Sequence, residues 1–195
     1  MSRLLSVWLP VCLLAALSVS PLARAQVSVY GTGAVAGYSV KPDTSSTFSF
    51  KSNAPGFVVG GFYNFPIDSR VTVGVDLRLA ESPGSKGGTA GAAALRIGVV
   101  PHHVPLRPYF EIGGGVISTS TNAELVNDQV RAGTYTNGAA MLAFGLDVRV
   151  THSLDIRVLD LGAEAGGSTT NGATAHGSAG AAYADTGIVF HFGRP

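Results

Sequence analysis

Val71-Thr-Val-Gly-Val-Asp-Leu-Arg-Leu79 places aliphatic side chains on every odd position and Thr72, Gly74, Asp76 and Arg78 on the even ones. Alternate residues of a strand point to opposite faces, so one face here is purely aliphatic and the other carries charge. A half-buried strand of a soluble sheet has the same pattern in isolation. The neighbouring blocks decide the fold.

Phe57-Val-Val-Gly-Gly-Phe-Tyr-Asn-Phe65 precedes it across Pro66–Arg70. A hairpin centred on Asp68 sets Phe65 opposite Val71, Tyr63 opposite Val73, Val59 opposite Leu77 and Phe57 opposite Leu79, so every facing pair on that side is apolar. In the next hairpin Leu95, Ile97 and Val99 alternate with Arg96 and Gly98, and after the turn Phe110 and Ile112 flank Glu111. Setting Arg96 opposite Glu111 also sets Leu95 opposite Ile112 and Ile97 opposite Phe110. Charge and apolar matching select one register. A third hairpin, centred on His152, pairs Arg149 with Asp155 and Asp147 with Arg157; a centre one residue earlier would oppose Asp147 and Asp155, a like-charge clash. In its second strand the alternation breaks at Val158-Leu159, and a β-bulge there is needed to turn Asp160 inward.

Two further strands open and close the set. Val27–Val40 carries Tyr30 and Tyr38 on one parity with Thr32, Ala34 and Ala36 between them. The two tyrosines lie ~26 Å apart along a strand, a separation that suits aromatic girdles on either side of an apolar band, and Phe57 and Phe65 repeat the spacing. The last strand, roughly 179–192, turns Ile188, Phe190 and Phe192 outward and Asp185, Val189 and His191 inward. Connectors at 66–70, 101–107 and 151–153 are short, those at about 39–55, 118–134 and 164–178 are long and polar, and 81–88 is intermediate. Short turns on one rim and long loops on the other are the mark of a membrane barrel. The expected fold is all-β: an eight-stranded antiparallel up-and-down transmembrane β-barrel over 26–195.

Residues 1–25 read as a separate segment. Arg3 gives a positive start, Leu4–Val19 is apolar apart from interruptions such as Pro10, and Ala23-Arg24-Ala25 is a small-x-small cleavage site. This is the layout of a cleaved signal peptide, and the apolar run is too short for a helical span of ~20 residues. The single cysteine, Cys12, falls inside it, so the exported portion is expected to hold its fold without disulfides. Of the 13 basic residues Arg3 and Arg24 lie in this leader, leaving 11 against 12 acidic ones, a balance that argues against a nucleic-acid binder.

The chain resembles the small outer-membrane β-barrel family, which includes the transmembrane barrel of outer membrane protein A. Three stretches carry the resemblance: Val29-Tyr-Gly-Thr-Gly-Ala-Val-Ala-Gly-Tyr38, Arg107-Pro-Tyr-Phe-Glu-Ile-Gly-Gly-Gly115 and Thr186-Gly-Ile-Val-Phe-His-Phe-Gly193. It implies an integral outer-membrane protein, monomeric, surrounded by lipid and lipopolysaccharide. It also implies a last strand whose Ile188, Phe190 and terminal aromatic Phe192 are read by the outer-membrane insertion machinery; here Gly193-Arg-Pro195 follows.

Several patterns could carry chemistry. Gly31-Thr-Gly33-Ala-Val-Ala36 imitates a dinucleotide fingerprint, but the Ser/Thr-rich segment with Pro42 that follows supplies neither the helix nor the acidic residue that the fingerprint requires. Small residues on a curved barrel strand are the stronger reading, and no cofactor is expected. The inward charges Asp76, Arg78, Arg96, Glu111, Asp147, Arg149, Asp155, Arg157 and Asp185 could line a pore. An eight-stranded interior is only wide enough for side chains, so paired charges are expected to plug it. His176-Gly-Ser178 could serve a lipid A-modifying enzyme, but no third group stands in fixed relation to it. His102, His103, His152 and His191 gather near one rim without tetrahedral metal-ligand spacing and read as solvent-facing. The expectation is a non-enzymatic envelope protein with a charge-plugged interior and loops free for ligand contact, a lipid A-modifying enzyme or a narrow pore being the alternatives.

Overall fold

The computed structural model describes residues 26–41, 50–67, 70–83, 88–101, 103–121, 133–167 and 178–192. The leader at 1–25, His102, His176, the turn centre Asp68 and the tail at 193–195 therefore lie outside the described residues.

Eight strands follow in order: β1 Gln26–Lys41, β2 Phe50–Pro66, β3 Val71–Ser82, β4 Gly88–Val99, β5 Leu106–Thr121, β6 Gly133–Arg149, β7 Leu154–Gly167 and β8 Ser178–Phe192. Each pairs antiparallel with the next, and β1 pairs antiparallel with β8, closing the barrel. Closure leaves no unpaired strand edge. The strands run further than their alternation alone indicates: β1 reaches Lys41 and β2 begins at Phe50, β5 reaches Thr121 and β6 begins at Gly133, and β7 reaches Gly167 and β8 begins at Ser178, so the long connectors shrink to 42–49, 122–132 and 168–177.

The registers of two hairpins match those that their charges select. Arg96 faces Glu111, with Leu95 opposite Ile112 and Ile97 opposite Phe110. Asp147 faces Arg157 and Arg149 faces Asp155. The β2–β3 hairpin differs from expectation by two residues: Phe65 faces Val73, Tyr63 faces Val75, Val59 faces Leu79 and Phe57 faces Glu81. A slip of two keeps every side chain on its own face, and this hairpin has no cross-strand charge pair to fix its register. In β7 the register shifts between Arg157 and Asp160, and Asp160 is fully buried, so a bulge at Val158-Leu159 restores the inward parity.

Burial is inverted relative to a soluble protein. The interior holds Asp76, Arg78, Arg96, Glu111, Asp147, Asp155, Arg157, Asp160, Glu164 and Asp185, while Leu77, Leu79, Leu95, Ile112, Leu142, Phe144, Leu161 and Phe190 are exposed on the outside. Phe57 and Phe65 belong to this outer surface, as do Ile188, Phe190 and Phe192. Tyr30 and Tyr38 do not: they are 4% and 5% exposed and point into the barrel, which corrects their assignment to aromatic girdles. Val29 and Val35, on the opposite parity of β1, take the outer face instead.

Candidate functional site

The inward charges from β3 to β7 meet at one level of the barrel and close into a ring. Arg78 on β3 contacts Glu111 on β5, and Arg96 on β4 reaches the other oxygen of Glu111 at 2.7 Å. Arg96 Nη2 continues to Asp147 Oδ2 on β6 at 2.9 Å, and Arg157 Nε on β7 meets Asp147 Oδ1 at 3.0 Å. Asp160 Oδ2 then accepts from Arg157 Nη1 at 3.5 Å and from Arg78 Nη1 at 3.2 Å, which completes the cycle across the bore. Arginine and carboxylate alternate around it. Asp76 joins from the side through Arg78 at 2.8 Å.

Aromatic side chains from β1, β2, β5 and β8 fill the rest of this level. Tyr30 on β1 donates to Asp76 Oδ2 at 2.9 Å, and Arg157 Cζ lies 4.1 Å from its ring centroid. Arg96 Cζ sits 3.4 Å from the Tyr109 centroid and 4.1 Å from that of Phe62 on β2. Tyr183 on β8 accepts from Arg78 Nη1 at 2.6 Å. Guanidinium groups stack well on aromatic faces, so the rings hold the arginines in place as well as filling space. All eight strands thereby contribute to the layer.

Each of these three tyrosines lies over a glycine directly opposite on an adjacent strand: Tyr30 over Gly60, Tyr109 over Gly145 and Tyr183 over Gly162. A Cβ at any of the three glycines would collide with the phenol. The missing side chain makes the recess into which the ring folds, and the ring in turn shields the glycine backbone.

Not every expected member joins the ring. Arg149 is only partly buried at the rim, and although it faces Asp155 in register, Asp155 pairs instead with Arg107 at 3.1 Å, with His191 Nε2 lying 2.8 Å away. Inward parity at the end of a strand does not carry a long side chain as far as the bore. Asp185 is 3% exposed, faces Asp160 across β7–β8, and has no ion-pair partner among the described residues. Asp160, which needs the bulge to turn inward, and the inward tyrosines complete the layer; the tyrosines were not legible as members of it. The signal that could have found the tyrosines is the glycine opposite each one.

His191 follows the inward parity of β8 and not the solvent-facing reading of the rim histidines. It is 6% exposed, whereas His103 and His152 are exposed. Its Nδ1 is 2.7 Å from Ser28 Oγ, and its Nε2 approaches Asp155. Serine, histidine and aspartate in this order are the parts of an activated nucleophile. Ser28, however, is fully buried, so no substrate carbonyl can reach its hydroxyl, and its contact with His191 acts as a tie between β1 and β8. His176 lies outside the described residues, as does the side chain of Ser178. Among the described residues no group of three or more His, Cys, Asp or Glu side chains is placed to hold a metal ion.

A closed antiparallel eight-stranded barrel with a polar interior and an apolar exterior defines the class to which the chain belongs by architecture. Among solved structures, the N-terminal β-barrel domain of Pseudomonas aeruginosa OprF matches with a TM-score of 0.51 at 15% identity, covering 87% of this chain and 98% of that one. Ail, the attachment invasion locus protein of Yersinia pestis, matches at 0.49 and 13% identity, covering 87% and 99%, and Neisserial surface protein A at 0.44 and 14%, covering 84% and 97%. The likeness to the OprF domain is one of fold, and the two weaker matches add nothing to it. No protein-family model matches the chain, and no curated protein matches it by sequence.

Proposed function

We propose that the chain is a non-enzymatic integral outer-membrane barrel with a charge-plugged interior, exported by cleavage of 1–25 and working at the cell surface through its long connectors. The observation that carries this reading is the inverted burial. Charges fill the bore, while Val75, Leu77, Leu79, Leu95, Ile97 and Phe110 continue one exposed apolar surface across β3, β4 and β5. In water that surface would be a large aggregation-prone patch; in a bilayer it is the required exterior. Lipid and lipopolysaccharide are then its immediate partners, and the outward Ile188, Phe190 and Phe192 form the strand end offered to the insertion machinery. The closed sheet leaves no strand edge for a second copy to pair with, which supports a barrel that acts as a monomer.

The alternating ring supports a plug over a pore. Each of its three arginines is held by at least two carboxylates, so the bore at that level is filled by side chains already paired to one another. Planar-bilayer recordings of the refolded protein test this, with no discrete conductance steps expected. Reproducible single-channel steps would mean that the ring opens, and the plug reading would be lost. Fractionation tests the membrane reading separately, with the mature chain expected in the outer membrane rather than in the periplasm.

A further inference from the structure

Between the ring and the short-turn rim lies a cavity of about 30 Å³. Five buried polar atoms without a hydrogen-bond partner belong to residues that line it: Gln26 Nε2, Asn64 Oδ1, Tyr109 Oη, Asp155 Oδ1 and His191 Nε2. The last of these lies 2.8 Å from Asp155 Oδ2, but the approach is too far off line to count as a hydrogen bond. Buried polar groups are nearly always satisfied, and five exceptions around one cavity point to a shared occupant.

The lining says what that occupant is. Its formal charges cancel, with Arg96 and Arg107 against Asp147 and Asp155, and these groups pair with one another or with the ring. No surplus charge remains to select an ion. The free valences mix donors (Gln26 Nε2, Tyr109 Oη) with acceptors (Asn64 Oδ1, Asp155 Oδ1), so the guest must both donate and accept. One water needs about 10–15 Å³ of such space, so the cavity has room for about two. We infer that the turn-side end of the barrel contains a built site for two ordered water molecules, which bridge Gln26 and Asn64 at the rim to Tyr109 and Asp155 beneath the ring. The bore is then hydrated from this end as far as the ring and stops there.

Asn64→Leu tests the site by the sign of its effect. If water bridges the Asn64 carbonyl, replacing it with an apolar side chain of similar size strands the water and lowers the urea midpoint of unfolding. If the cavity is dry, the same change removes an unpaired buried carbonyl and raises or leaves unchanged that midpoint, which overturns the inference. A crystal structure of the wild-type barrel at water-resolving resolution gives a second, independent reading, even if the variant fails to fold. Two density peaks are expected, each about 2.7–3.2 Å from at least two of the five atoms. An empty cavity, direct pairing among the five atoms, or an anomalous signal from an ion would each contradict the proposal.

Discussion

Arg157→Met removes one arginine of the ring while keeping an unbranched side chain of comparable length. Arg157 is fully buried, meets Asp147 at 3.0 Å and Asp160 at 3.5 Å, and stacks on Tyr30 at 4.1 Å. Its loss leaves Asp147 with Arg96 alone and Asp160 with Arg78 alone, two buried and under-compensated carboxylates. Breaking a buried pair by removing one partner costs about 3–5 kcal/mol. With a urea dependence of about 2 kcal/mol per molar, a loss of about 4 kcal/mol moves the midpoint down by about 2 M. Folded and unfolded chains are to be separated by gel mobility after equilibration in urea with lipid vesicles. The double variant Arg157→Met with Asp160→Asn should recover part of the loss, because it removes the stranded charge along with its partner. A midpoint for Arg157→Met within about 0.3 M of wild type, well inside the shift expected from a buried pair, would refute the reasoning: the ring would then be solvated and not a plug.

Further outcomes follow from the same geometry. Gly145→Ala drives a Cβ into the Tyr109 ring and should cost about 1–3 kcal/mol in the same urea assay, whereas Gly138→Ala, where a Cβ meets nothing within 4 Å, should change little. Leu77→Arg puts a charge on the exposed outer face beside the ring level and should destabilise the bilayer-inserted barrel by about 2–4 kcal/mol, as vesicle refolding yields would reveal. Deleting Val158 should still yield a folded barrel by gel mobility, because it leaves unbroken alternation with Asp160 inward. Deleting Leu161, which lies beyond the bulge, should abolish folding, since it turns Glu164 to the outside.

What the sequence made legible follows from what constrains a strand. Arg96 against Glu111 and Asp147 against Arg157 fixed two registers because a slip of either sign costs charge complementarity as well as apolar matching. Phe57–Phe65 against Val71–Leu79 has no charge pair, and a slip of two residues keeps apolar partners for Phe65, Tyr63 and Val59 while setting Phe57 against Glu81, so Phe65 meets Val73 and not Val71. Tyr30 and Tyr38 were misplaced because spacing along one strand does not say which parity faces in. Val29 and Val35 on the other parity, and Gly60 opposite Tyr30, carry that information, but reading it requires the pairing of β1 with β2. The individual ring charges were legible as inward residues. Their closure was not, since it depends on bringing five strands to one height and on the bulge that returns Asp160 to the bore. Arg149 shows the opposite limit: its parity and register match the expectation, yet at the strand end Arg107 takes Asp155.

The central claim is that the apolar face looks outward into lipid. Its most direct test is an outer-membrane extract run on a detergent gel with and without prior boiling. A faster-migrating band that shifts to the full-length position only after boiling is the expected result, because a closed barrel solvated on its apolar face resists detergent until heat unfolds it. One unshifted band, with the chain recovered in the soluble fraction, would mean that the outer face packs against protein, and would contradict the membrane reading at its base.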